Sequence, residues 1–135
     1  MHSLKRRLAA IALLGTVVSA GGCFLAAAGA GAGGAIYVTE RGVEAQVASP
    51  VARTLDATRQ AFQEYGITET KSSNEQDGSV EKRSLEGKTS DREVEVDLRS
   101  EGSGTHVAVV VKKSMVTWDK DFAKRILNKI VEQAK

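Results

Sequence analysis

Lys5, Arg6 and Arg7 stand before an uncharged apolar run that begins at Leu8, and the run gives way to Ala20-Gly21-Gly22-Cys23. This order decides how much of the chain is left to fold. Positive charge holds an amino end at the cytoplasmic face of a membrane, an apolar run partitions into the bilayer, and small residues give a peptidase access to the backbone. The layout is that of a bacterial lipoprotein export signal, with cleavage expected between Gly22 and Cys23 and the Cys23 thiol as the site of lipidation. Removing residues 1–22 leaves 113 of the 135 residues, enough for one domain with a modest core. Cys23 is the sole cysteine, so no internal disulfide can brace that domain.

The same cut changes the charge. The whole chain carries +2, from 19 Lys and Arg against 17 Asp and Glu; taking away Lys5, Arg6 and Arg7 leaves 16 against 17, a net of −1. Nucleic-acid binding needs a clustered basic face that releases counterions from phosphates, and the charges after Cys23 are mixed along their length, so nucleic acid is not an expected partner. Two other fates of the leader also export the domain. Leu8 to Val38 is uncharged and long enough to span a bilayer as an uncleaved inner-membrane anchor, although its second half is Gly and Ala rather than Leu and Ile. A cut within Ala26-Ala27-Ala28 would instead release a soluble periplasmic protein. Ala20 stands three before the cysteine, where such signals usually carry leucine or another larger aliphatic residue. Phe24 and Leu25 follow Cys23 in place of the aspartate that retains lipoproteins in the inner membrane of enteric bacteria, so the expected location is the outer membrane, facing the periplasm. Residues 23–35 then form the lipidated cysteine and a Gly/Ala tether, and residues 36–135 the folded domain.

Within that domain Ile36-Tyr37-Val38, the turn residues Arg41-Gly42, and Val43, Ala45 and Val47 alternating with Glu44 and Gln46 read as a strand region with one buried face. Ser49-Pro50 predicts a helix start with serine as cap and proline in the first turn. Val51, Leu55, Phe62 and Tyr65 recur at helical spacing, and Gly66 closes the helix. Ile67 to Thr70 opens a strand, Asn74 to Gly78 reads as a polar turn, and Val80 to Leu85 as an exposed strand. Val94, Val96 and Leu98 alternate with Glu93, Glu95, Asp97 and Arg99, whereas the strand from Thr105 to Lys112 is apolar on both faces, which predicts a central or covered position. Asp119 or Thr117 can cap a last helix whose apolar face runs through Phe122, Ala123, Ile126, Leu127, Ile130, Val131 and Ala134. The predicted architecture is α+β: an antiparallel sheet in the element order β-α-β-β-β-β-α, with two amphipathic helices packed on one sheet face.

This order, from the cysteine and Ala26-Ala27-Ala28-Gly29-Ala30-Gly31-Ala32-Gly33-Gly34 through Ser49-Pro50 and Glu64-Tyr65-Gly66-Ile67 to Phe122-Ala123-Lys124-Arg125-Ile126-Leu127, resembles a family of small bacterial lipoproteins, domain-of-unknown-function family 3568. The resemblance covers nearly the whole chain and lies in the order and spacing of elements that are individually common. It implies export, lipid anchoring and a small α+β domain, and it carries no catalytic residues to transfer.

The residues themselves offer little catalytic equipment. A nucleophile needs a base, usually histidine; His2 lies in the leader, and His106, on an apolar strand without Cys or His companions, lacks a ligand set. No metal site and no cofactor are expected. Glu93, Glu95 and Asp97 line one strand face, where a row of carboxylates can bind a cation or simply keep the face soluble, with Arg99 and neighbouring basic residues to neutralise it. Trp118, beside Met115 and Val116 in the loop before the last helix, reads as a cap on the core edge or as an anchor for a partner. The leading expectation is a lipid-anchored, non-enzymatic cell-envelope protein that contacts the membrane through its lipid and an envelope protein through its domain. A periplasmic small-ligand or cation-binding module and a small envelope enzyme are the alternatives.

Overall fold

The computed structural model describes residues 35–135. The leader, the Gly22–Cys23 cleavage position and the tether up to residue 34 lie outside the described residues. The remainder forms seven strands and two helices: β1 (Ile36–Val38), β2 (Gly42–Val47), α1 (Val51–Glu64), β3 (Thr68–Asp77), β4 (Val80–Lys88), β5 (Glu93–Glu101), β6 (Gly104–Ser114), β7 (Thr117–Trp118) and α2 (Lys120–Gln133).

All paired strands are antiparallel, in the spatial order β1-β2-β6-β5-β4-β3, with β7 on β6 beyond the start of β2. Period-two alternation sends Val43, Ala45 and Val47 of β2, Val107, Val109 and Val111 of β6, Val94, Val96 and Leu98 of β5 and Leu85 of β4 to one face, where all are buried. Both helices pack there and against each other. The fold is therefore α+β, as the sequence pattern predicts, and β6 is an interior strand of the sheet.

Several local details differ from the expectation. The first strand region is a hairpin, because Thr39 N–H donates to the Gly42 carbonyl at 2.9 Å and Gly42 N–H donates to Thr39 Oγ1 at 3.0 Å, closing the turn between β1 and β2. Asn74 to Asp77 belong to β3, and the reversal comes at Gly78, whose φ of 60° suits a tight turn. Every residue of β3 is exposed, so no hydrophobic alternation marks it as a strand. β7 adds a pairing where the sequence suggests a loop.

Ser49 does not cap α1. Pro50 occupies the cap position with extended backbone, and the Ser49 hydroxyl donates instead to the carbonyl of Ala134, beyond the end of α2. The Ser49 carbonyl accepts from Thr105 Oγ1 at 2.8 Å, so this one residue ties the β2–α1 corner to β6 and to α2. The other end of α1 follows expectation. Gly66, at φ 65°, completes a Schellman closure in which Ile67 N–H reaches the Phe62 carbonyl at 2.8 Å and Gly66 N–H the Gln63 carbonyl at 3.3 Å. The three buried threonines each donate to a backbone carbonyl: Thr54 to Pro50, Thr58 to Thr54 and Thr105 to Ser49.

Candidate functional site

With both helices on one face, the other face of the sheet is open, and its side chains follow from strand register. Glu93, Glu95, Asp97 and Arg99 of β5 stand opposite Lys88, Glu86, Ser84 and Lys82 of β4, and opposite Lys112, Val110, Ala108 and His106 of β6. The expected carboxylates therefore share a face, but they do not converge. Lys88 holds Glu93 at 3.6 Å and Lys71 of β3 holds Glu86 at 3.4 Å. Arg99 turns to Glu101 at 2.6 Å instead of neutralising the row. No group of three or more His, Cys, Asp or Glu placed to hold a metal ion occurs among the described residues.

Glu95 sits in the most anionic part of this face. Partial desolvation, then the charges of Asp97 and Glu86, hold its carboxyl above the ordinary glutamate range, against smaller opposing effects of Lys112 and Lys71. A carboxyl with a raised folded-state pKa opposes folding once ionised, so the penalty is full above the folded pKa and disappears below the unfolded value. Glu95→Gln is expected to raise stability at pH 7 by about 0.5 kcal/mol. The gain should vanish near about pH 3.5, where glutamate is neutral in both states; melting curves at the two pH values check this.

His106 faces Glu44 of β2, with Nε2 3.5 Å from Oε2, and borders a shallow depression of about 300 Å³ shared with Glu75, Lys82, Asp97 and Arg99. The lining mixes both charges.

A second cluster lies at the end of the sheet where β4 meets β5 and β6 meets β7. Trp118 is half-buried there, paired in register with Lys112. Lys112 Nζ lies 5.4 Å and the Arg41 guanidinium 5.6 Å from its ring centroid, so cations flank the indole. Met115 and Val116, at the tip of the β6–β7 hairpin, are 97% and 87% exposed. Between this tip and the Thr89–Arg92 loop runs an open groove of about 580 Å³, lined by Lys88, Asp91, Arg92, Glu93, Lys112 and Met115 among others.

The family model described as "Protein of unknown function (DUF3568)" matches residues 7–133. The chain belongs to this family. The matched span takes in the apolar run and every described element to the end of α2, so the DUF3568 pattern covers both the upstream segment and the domain. No curated protein matches the chain. No helix among the described residues of this DUF3568 member is long and apolar enough to cross a membrane.

Arg92 organises the second cluster and is not marked by any sequence motif. Its Nε donates to Asp119 Oδ2 at 2.8 Å, its Nη1 donates to both carboxylate oxygens of Asp91, and its guanidinium lies 5.4 Å from the Phe122 ring centroid. Of the two expected caps of α2, Thr117 lies in β7 and Asp119 is the one that caps the helix, accepting from Phe122 N–H at 2.9 Å. That backbone bond and then Arg92 hold its carboxyl below the ordinary range, with partial desolvation opposing them. A depressed folded pKa contributes stability above the unfolded value and loses it as pH falls through the folded one. Asp119→Ala is expected to cost about 1 kcal/mol at neutral pH, with the difference from the parent shrinking on acidification below about pH 4; denaturation midpoints across that range check it.

Proposed function

We propose that this protein is a lipid-anchored component of the bacterial cell envelope, held by Cys23 on the outer membrane and facing the periplasm, whose domain acts by contact with another envelope protein rather than by catalysis. The carrying observation for the interaction role is the one-sided sheet: both helices cover one face, and the other presents strands of alternating charge to solvent. The leader, Cys23 and the Gly/Ala tract support the anchor. Expression of the full chain with labelled palmitate should give a labelled species that fractionates with the outer membrane, and Cys23→Ala should abolish the label. A single unacylated soluble species in the parent strain would sink the anchor. Crosslinking in the intact envelope from the open sheet face should then capture one defined protein.

A further inference from the structure

We propose that the β6–β7 hairpin, Lys112 to Trp118, is a finger that docks on an anionic lipid surface. The proposal rests on the reading that the chain is held at a membrane, and adds which part of the domain meets the bilayer. Met115 and Val116 form its tip, at 97% and 87% exposure, and nothing in the described residues covers them. A scattered exposed apolar residue is ordinary. Two together at a hairpin tip, with Lys112 and Lys113 set back on one arm and the Trp118 indole on the other, follow the polarity profile of a bilayer boundary: apolar groups toward the acyl chains, ammonium groups at phosphate depth, tryptophan at the interface.

Charge supports the same occupant. Glu93 is held by Lys88, and Asp91 and Asp119 by Arg92. Lys112, Lys113, Lys120 and Arg41 have no carboxylate within ion-pair distance among the described residues. Glu40 and Asp121 are likewise outside any ion pair among the described residues, so this end sets six cations (Arg41, Lys88, Arg92, Lys112, Lys113 and Lys120) against five carboxylates (Glu40, Asp91, Glu93, Asp119 and Asp121), a surplus of one, whereas the chain after Cys23 has a net charge of −1. The register shift between Lys112 and Ser114 leaves Lys113 out of the ladder, a bulge that twists the finger relative to the sheet. A lipid tether would hold the domain near the surface, so a finger too weak to recruit a free protein could still be seated most of the time.

Trp118 is the only tryptophan, so its emission reports the finger directly. The protein purified after expression of the full chain is reconstituted into phosphatidylcholine vesicles with or without phosphatidylglycerol, carrying brominated acyl chains as quenchers. Flotation reads the anchor and quenching reads the finger. The expected result is flotation in both compositions, with Trp118 quenching that needs phosphatidylglycerol. Quenching should fall by about fivefold or more in K113Q/K120Q, and comparably in M115S/V116S, with flotation unchanged; circular dichroism confirms that both variants fold. Protein that floats without Trp118 quenching, or with equal quenching in the parent and M115S/V116S, overturns the finger and leaves the anchor standing. Protein that does not float overturns both.

Discussion

Replacing Gly42 with alanine is expected to destabilise the domain by about 3 kcal/mol or more, although the change adds one methyl group and removes no contact. A Cβ built on Gly42 would lie 2.0 Å from the Val109 carbonyl oxygen and 3.0 Å from its carbon. Both atoms belong to the backbone of β6, which is hydrogen-bonded to β5 on its other side and cannot yield as a side-chain end would. Relief requires β2 to move off β6, disturbing the six-residue pairing that carries Val43, Ala45 and Val47 into the core, together with the Thr39–Gly42 turn. Gly66→Ala is the useful comparison. Gly66 has open space around its absent Cβ and φ of +65°, so alanine there meets only the left-handed backbone penalty of about 1 kcal/mol. Urea denaturation followed by Trp118 emission should place the Gly42→Ala midpoint well below that of Gly66→Ala. Equal midpoints would mean that β2 can slide away from β6 at little cost.

The contrast between these glycines also marks what a sequence can disclose. Gly66 ends an amphipathic run and is legible as a helix stop, because the reason for it is local. Gly42 is legible only as a turn residue; its close approach to Val109 depends on a strand more than sixty positions away. The same division holds elsewhere. Val94, Val96 and Leu98 announce a one-sided strand, and the face through Ile126, Leu127 and Ile130 announces a helix, because burial imposes a period on the residues that experience it. β3 carries no such period, since neither of its faces is covered. Ser49 has the composition of a cap, but tertiary bonds to Ala134 and Thr105 take both its hydroxyl and its carbonyl. Within the candidate site, register alone places Glu93, Glu95 and Asp97 on one face. Glu86 opposite Glu95, and Arg92 bonded to Asp119, required the pairing of distant segments. The sequence marks Met115 and Val116 only as neighbours of Trp118, and it takes the β6–β7 hairpin to project them into solvent.

Leu127→Ala is expected to cost about 2–5 kcal/mol, a large share of the roughly 5–15 kcal/mol that holds a domain of this kind together. The size follows from how the core is filled. α1 buries seven residues, but Thr54, Ala57, Thr58 and Ala61 among them are small. Much of the helical apolar volume against the sheet therefore comes from α2, where Ile126, Leu127 and Ile130 are all fully buried. A helix of 14 residues is marginal by itself in water, so α2 depends on that face for its existence. Truncating Leu127 leaves a void among neighbours already fixed by strand pairing and by the Ser49 tie, which limits collapse of the site. Ser73→Ala, in the uncovered β3, should change stability by less than about 0.5 kcal/mol. Hydrogen exchange should show the same gradient, with β3 amides opening more readily than those of β2 and β6. If the two substitutions gave similar urea midpoints, α2 would be packed too loosely to anchor the sheet. Stability placed on the helical side leaves the open face, with its partly desolvated Glu95, and the hairpin tip at the end of the sheet able to carry groups that contribute nothing to folding.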